Sequence, residues 1–430
     1  MDSLAARLIA FYLPQFHPIP ENDEWWGRGF TEWTNVAKAK PLFPGHRQPR
    51  LPADLGFYDL RVPEVREAQA QLARNAGVEA FCYWHYWFGN GRRLIERPFE
   101  EVLDSGKPDF SFCLAWANDS WSGVWHGNPQ KELIKQEYPG HADEEAHFRW
   151  AQRAFEDPRY LKVEGKPMFV IFRPHDLPSM EGFVMHWREL AAKAGYPGLY
   201  FVAIICKYAV GIDLYRNPIL DPFDAVTPLV PADYMQGAAR ATGKFDFRRR
   251  AKELNFGRRL NQLKSARWKR PTRIEFADVV AHALEGMPPG DRYLPSVLPG
   301  WDNTPRCSYH GVVFKGETPE LFKAYLRKAV ERVSGYSAQR RIIFLKAWNE
   351  WAEGNYVEPD SISGHAYLDA IHSVLFPTSG APSKSAGGGE DVALGCVGQE
   401  LAVAGDDAIA VESCCGRDDS IGRVGGRGSG

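Results

Sequence analysis

Short apolar runs alternate with amphipathic stretches along most of this chain, and that rhythm constrains the fold more than any other feature. Eight runs stand out: Leu8–Leu13, Ala80–Trp84, Phe110–Ala115, Pro167–Phe172, Tyr200–Ile205, Ala225–Val230, Tyr293–Leu298 and Arg341–Ala347. Each is rich in Val, Ile, Phe and Tyr and bounded by polar residues or by Gly and Pro, the pattern of a buried strand. Helix candidates lie between them. Pro63–Asn75 has Pro and Glu in its first turn and Gly77 just past its end. Ser179–Ala194 stops at Gly195, and Thr318–Val333 opens on Thr318-Pro319-Glu320 and stops at Gly335. A polar cap, Pro at the first helical position and Gly beyond the last are helix start and stop signals. The alternation predicts an α/β fold, a parallel (β/α)8 TIM barrel over residues 1–377. A doubly wound open sheet shares the alternation, but eight strands fit the barrel and no Gly-x-Gly-x-x-Gly follows the first run.

The residues that follow these runs share a chemical character. Tyr12, Gln15 and His17 follow the first, Trp84, His85, Tyr86 and Trp87 the second, and Trp116, Asn118, Asp119 and Trp121 the third. Arg173 and His175 follow the fourth, Lys207 the fifth, and Trp301, Asp302 and Asn303 the seventh. Trp348, Asn349, Glu350, Trp351 and Glu353 follow the eighth. Barrel enzymes carry their sites where the C-terminal strand ends converge. The 14 Trp, 17 Tyr and 25 Phe exceed what a core needs, and many Trp sit beside polar groups, as in Tyr83-Trp84-His85-Tyr86-Trp87. Flat apolar rings next to hydrogen-bonding groups suit sugars, although core packing accounts for part of them. The expected sugar-binding set is Tyr12, Gln15, His17, Trp84, His85, Tyr86, Trp116, Asn118, Asp119, Trp121, Trp301, Asp302, Asn349 and Trp351.

Glu350 and Glu353 are the expected catalytic pair. Chemistry at a glycosidic bond uses one protonated carboxyl on the leaving oxygen and one carboxylate on the reacting sugar. Two Glu three residues apart commonly mark a solvated helix face. Here Trp348, Trp351 and the apolar run upstream weigh against that reading, because apolar surroundings raise a carboxyl pKa and suit an acid catalyst.

Other chemistries lack their signatures. A net charge of −2 argues against a nucleic-acid protein. The His residues show no HxxxH or HExxH spacing, and there is no P-loop or Gly-x-Ser-x-Gly elbow, so neither a metal nor a cofactor is expected. The 7 Cys have no metal or redox spacing, which favours a reducing compartment. Met1–Arg7 leads directly into the first run, so the expected location is the cytoplasm, with peripheral contact to the inner membrane left open.

Two segments stand outside the repeat. An insertion at about 233–273 contains Arg240–Arg273, with 13 Lys or Arg against 2 acids. It reads either as a solvated insertion or as a flap that binds phosphate or an anionic membrane. Residues 378–430 are rich in Gly, Ser, Ala and Asp without periodicity and read as a disordered tail.

Ile9-Ala10-Phe11-Tyr12-Leu13-Pro14-Gln15-Phe16-His17 and Trp25-Trp26-Gly27-Arg28-Gly29-Phe30-Thr31-Glu32-Trp33 resemble the opening of the WbsX-type family, labelled glycosyltransferase and found with bacterial surface-polysaccharide genes. Phe81–Phe88, Leu114–Asn118 and Ala347–Gly354 continue the match, which runs from about Leu8 to Phe376. That family is similar in turn to glycoside hydrolase family 99, whose (β/α)8 enzymes act on α-mannosides and carry a Glu-Trp-His-Glu loop. The resemblance implies that Glu350 is the base toward the sugar 2-hydroxyl, on a retaining route through an anhydro-sugar, and that Glu353 is the general acid/base. Ala352 stands where the hydrolases have His. It also implies an oligo- or polysaccharide substrate, with a lipid-linked or nucleotide-activated sugar as a further partner. Three readings follow: a retaining glycosidase or transglycosylase of surface-polysaccharide metabolism, a nucleotide-sugar-dependent glycosyltransferase, and a non-catalytic glycan-binding protein.

Overall fold

The computed structural model describes residues 4–123, 128–205, 215, 217–228 and 270–377. All eight runs contribute parallel strands: β1 (Arg7–Tyr12), β2 (Val78–His85), β3 (Ser111–Trp116), β4 (Lys166–Ile171), β5 (Tyr200–Ile205), β6 (Ala225–Pro228), β7 (Ser296–Val297) and β8 (Ile342–Leu345). They pair in the order β7-β8-β1-β2-β3-β4-β5-β6. Between β6 and β7, Val226 bridges Tyr293; the Val226 N–H donates to Arg292 O (2.8 Å) and the Leu294 N–H to Val226 O (2.9 Å). The sheet is therefore a nearly closed barrel. The expected Tyr293–Leu298 strand is regular only at Ser296–Val297, because Pro295 has no N–H to give to a ladder.

Among the described residues, the helices packed around these strands include α1 (Pro63–Ala76), α2 (Arg97–Ser105), α3 (His141–Phe155), α4 (Met180–Lys193), α5 (Phe276–His282), α6 (Pro319–Val333) and α7 (Ala366–Leu375). The cap signals work as their chemistry dictates. Ser179 Oγ accepts from the Gly182 N–H (3.3 Å) and Thr318 Oγ1 from the Leu321 N–H (3.3 Å). α1 ends on Gly77 at φ 92°, where a Cβ would lie 2.8 Å from the Phe376 ring. Glycine there both reverses the chain and lets α7 close onto α1.

Side chains alternate across each strand, and this sorts the barrel into two compartments. Phe11, Trp84 and Phe344 point inward and stack, with centroids 4.8 and 5.2 Å apart, forming a floor under the C-terminal mouth. Tyr12, His85 and Trp116, one position on from inward residues, point out toward the helices. His85 meets His147 of α3 with 2.6 Å between their Nε2 atoms. Burial, with the nearby Arg93 charge, pushes His85 down to about 3. Burial and the His85 charge push His147 well down, so the pair is neutral and one ring donates to the other.

The short pieces after the strands are less legible from periodicity. Trp121–Gly123 pairs with Asn128–Ile134 after β3, and Asn349–Glu350 with Asn355–Tyr356 after β8, both antiparallel. The basic insertion up to residue 269, the tail from 378, Lys207 and Cys206 lie outside the described residues. Among the described residues, no helix is long and apolar enough to cross a membrane.

The histidine pair makes stability pH-dependent. Both folded values lie below the ordinary one near 6.5, so the unfolded chain binds more protons, and the pair's contribution fades as pH falls below about 6.5. His147→Gln should lower the urea midpoint at pH 7. Its deficit relative to wild type should shrink as pH falls to 5, by up to about 1.4 kcal/mol per pH unit for each proton. A deficit that stays constant across that range would count against the neutral pair.

Candidate active site

β8 delivers the site. Its run continues through Lys346, whose ammonium is buried where the strand opens into the mouth. Lys346 Nζ donates to Glu350 Oε2 (3.2 Å), lies 3.5 Å from Glu353 Oε2, and sits 5.4 Å from the centroid of the Trp301 ring. Trp84 Nε1, rising from the aromatic floor, donates to the other Glu350 oxygen (3.0 Å). Arg306 donates to Glu353 Oε1 (2.6 Å) and to Glu32 Oε1 (2.6 Å). Glu32 also accepts from the Ala352 N–H (3.1 Å), so it holds the loop between the two carboxyls. Three carboxyl groups thus face two cations, and one proton neutralises the set.

The environment decides where that proton resides. Burial alone would raise Glu350, but the Lys346 charge, a hydrogen bond from Glu353, the Arg306 charge and the Trp84 N–H bring it well below the usual carboxylate range. Burial and the Glu350 charge push Glu353 up, against the opposing pull of Arg306 and Lys346. Glu353 Oε2 is buried and accepts no hydrogen bond. A proton on that oxygen makes it a donor to Glu350. The surroundings thus favour the carboxylate at Glu350 and the acid form at Glu353, both buried at the barrel mouth with relative exposures of 5% and 7%.

The loop's geometry is locked from both sides. The Asp302 N–H donates to Glu353 O (2.6 Å), and Gly354, at φ 57°, lies where a Cβ would stand 2.8 Å from the Asp302 side chain. Below the loop, the buried carboxylate of Glu358 accepts from Gln69 Nε2 (2.6 Å), Trp348 Nε1 (2.9 Å), Trp351 Nε1 (2.7 Å) and Tyr58 Oη (2.8 Å). Burial raises Glu358 to about 7 against the effect of these four donors.

Of the expected sugar-binding residues, Trp84, Tyr86, Trp121 and Trp301 gather at the mouth. Burial and then the Glu350 charge raise the Tyr86 hydroxyl pKa, which places that hydroxyl beside the pair. Trp121 meets Tyr86 edge-on (5.1 Å between centroids), and Trp25 meets Trp121 (6.0 Å). Gln15 and Asp119 are half-buried; Asp119 pairs with Arg173 (3.0 Å), and the Gln15 carbonyl accepts from the Glu32 N–H (3.0 Å).

Eight of that set have polar atoms engaged in contacts within the fold. Tyr12 Oη donates to Gln69 (2.6 Å), His85 faces His147, and Trp116 Nε1 donates to Trp87 O (3.0 Å), all on outward strand positions. His17 Nδ1 lies against Pro14 O (3.2 Å). Asn118 brackets the Arg173 backbone (2.8 Å each way), and Asn349 does the same for Leu13 (2.8 and 3.0 Å). Asp302 is held by His46, Gln48 and Thr304, and Trp351 by Glu358. All eight are buried and frame the mouth from behind.

The sequence reading misses Glu32, Arg306, Lys346 and Glu358. Lys346 carried a usable signal, since a cation inside a buried run must find partners. Glu32 lies in a quoted motif without a role. Arg306 and Glu358 are marked only by tertiary contact.

The family model for glycosyltransferase WbsX matches residues 8–371. The chain belongs to the WbsX family. A protein of Xanthomonas campestris pv. campestris (strain B100) named "Uncharacterized protein WxcX" is 38% identical over 376 residues, covering 87% of this chain and 50% of that protein. The chain thus spans about half the length of the curated relatives it matches. Among solved structures, a "Glycoside hydrolase-like protein" superposes with a TM-score of 0.54 at 14% identity, over 87% of this chain and 94% of that one. The GH99 endo-alpha-mannosidase of Bacteroides thetaiotaomicron gives 0.46 at 17% identity, over 85% and 95%. This WbsX-family member folds as a glycosidase-like barrel.

The Glu358 cluster yields a sharp expectation. In Glu358→Gln the amide NH2 must replace one carboxylate oxygen, and either orientation points it at a Trp N–H, which can only donate. One indole loses its acceptor, at a cost of about 1–3 kcal/mol. The variant should unfold at lower urea and lose activity although it touches neither Glu350 nor Glu353. An unaltered urea midpoint would show that Glu358 is not the anchor of this loop.

Proposed function

We propose that this enzyme breaks or exchanges a glycosidic bond of a bacterial surface polysaccharide with retention of configuration, using Glu353 as acid/base and Glu350 as base. The observation that carries the proposal is geometric: Glu350 and Glu353 sit buried on one loop and share Lys346, 3.2 and 3.5 Å away, in surroundings that lower the first carboxyl and raise the second. Such a split between neighbouring groups marks an acid and a base. Family membership and the aromatic wall of Trp84, Tyr86 and Trp121 support a sugar as the substrate.

In the first step, Glu353 gives its proton to the glycosidic oxygen and the C1–O bond breaks. Glu350 takes the proton of the 2-hydroxyl, and O2 closes onto C1 to form an anhydro-sugar. In the second step, Glu353 takes a proton from the acceptor, whose oxygen attacks C1 as the C1–O2 bond breaks, and Glu350 returns its proton to O2. Water as acceptor gives hydrolysis; a sugar hydroxyl gives transfer. Direct displacement by a carboxylate calls for about 5 Å between the groups, and inversion for about 6.5–9.5 Å. The route through the 2-hydroxyl is fixed by neither distance.

The test is to incubate the protein with surface polysaccharide from its host, with and without nucleotide sugars, and follow products by mass spectrometry and anomeric NMR. Nucleotide-independent products that retain configuration are expected. Strict dependence on a nucleotide sugar would replace this reading with a nucleotide-sugar-dependent glycosyltransferase. Binding without turnover would make the protein a glycan-binding module.

Two variants test the roles. Glu353→Gln should reduce kcat by about 10²–10⁴, the usual worth of a general acid/base, while polysaccharide binding changes little. Lys346→Met removes a charge that lowers both carboxyls. Glu350 and Glu353 should therefore both titrate higher, and both limbs of the kcat/KM profile should move to higher pH. An unmoved acid limb would refute Glu350 as the base.

A further inference from the structure

We propose that His141, Glu144 and His186 bind a divalent transition-metal ion, zinc by its ligand chemistry, between α3 and α4, away from the carboxyl pair. His141 opens α3 and Glu144 lies one turn on, so both occupy one helix face. His186 projects from α4. Three atoms converge: His141 Nδ1 and His186 Nδ1 are 3.0 Å apart, His186 Nδ1 and Glu144 Oε2 2.6 Å, and His141 Nδ1 and Glu144 Oε2 3.2 Å.

These atoms are lone-pair donors brought face to face. Neutral imidazoles with their protons on Nε2 would leave two bare nitrogens and a carboxylate oxygen pointing at one another. A single proton relieves one edge of that triangle at a time, whereas a cation at its centre relieves all three. The size also fits. With bonds of about 2.0–2.1 Å, the ligands of a tetrahedral zinc ion stand about 3.3 Å apart. Two edges are already near that value, and the third opens by a small rotation of the Glu144 side chain, which is 22% exposed.

The surroundings provide what an ion needs beyond three ligands. A cavity of about 240 Å³, lined by His141 and Glu144 together with Trp116, Tyr138, Asp143 and Phe183, borders the triangle. It has room for water in a fourth position, as in open zinc sites. The Glu144 carbonyl accepts from Trp187 Nε1 (3.2 Å), which fixes α3 against α4 beside the ligands. Two imidazoles and one carboxylate suit zinc, nickel or copper, and do not suit the oxygen-rich demands of calcium or magnesium. Glu144 and His186 are 42 residues apart, so no local motif announces the set. An ion here would clamp the two helices behind β3 and β4, whose following segments carry Trp121 and Arg173.

The test is isothermal titration of zinc chloride into tag-free protein stripped with a chelator, with cobalt(II) absorption as a second readout. Saturable binding of one ion per chain is expected, with a tetrahedral cobalt spectrum and a zinc-dependent rise in Tm. His141→Ala and His186→Ala should each weaken binding at least about tenfold, the lower end of what losing even a group that supports a ligand costs. His141 is 78% exposed, so its variant should fold as wild type does, as circular dichroism will verify. Absence of saturable zinc uptake by the wild type, or uptake that survives both substitutions unchanged, overturns the proposal.

Discussion

Four donors converging on one buried carboxylate hold this candidate active site in place. Glu358 collects two indoles from the loop around Glu350, the phenol of Tyr58 and the amide of Gln69. Trp348 and Trp351 flank Glu350, so two of its bonds clamp the catalytic loop at either end. Gln69 ties the cluster to α1 and passes the connection on to Tyr12 of β1. A buried carboxyl without a cation is costly unless its oxygens are satisfied. Once satisfied, it fixes geometry more tightly than apolar packing, because each bond is directional.

Above that anchor the logic is charge balance. Among the described residues, Lys346 and Arg306 bring two largely buried positive charges to the mouth, where three carboxyl groups meet them. Neutrality then demands a proton, and the closer tie of Lys346 to Glu350 leaves it on Glu353. The difference between acid and base therefore comes from the surroundings of two chemically identical side chains.

The barrel was legible because its signal is local. Eight apolar runs with caps between them specify strands and helices without reference to distant residues, and the structure departs from that reading mainly where Pro295 interrupts a ladder. The pairing of Glu350 with Glu353 was legible for the same reason, since three residues of separation on one loop leave little freedom. Which aromatics reach the mouth was not. Trp84 and His85 are adjacent in sequence yet point to opposite sides of the wall, and the side each takes depends on strand register. Arg306 and Glu358 were harder still, because an isolated Arg or Glu in a loop is the commonest thing a surface shows. The His141, Glu144 and His186 group joins two helices and has no signature along the chain.

Glu350 and Glu353 sit on one short loop, anchored from below by Glu358 and at the side by the Asp302 N–H. Aromatic residues after β2 and β3 build the opposite wall. The carboxyl pair thus rides on one compact cassette, joined to that wall through the bond from Trp84 of β2 to Glu350. Lineages with this barrel can remodel the loops after β2 and β3 to accept another glycan and leave the proton chemistry intact. Diversity among such enzymes should accumulate at the wall, while the cassette drifts little.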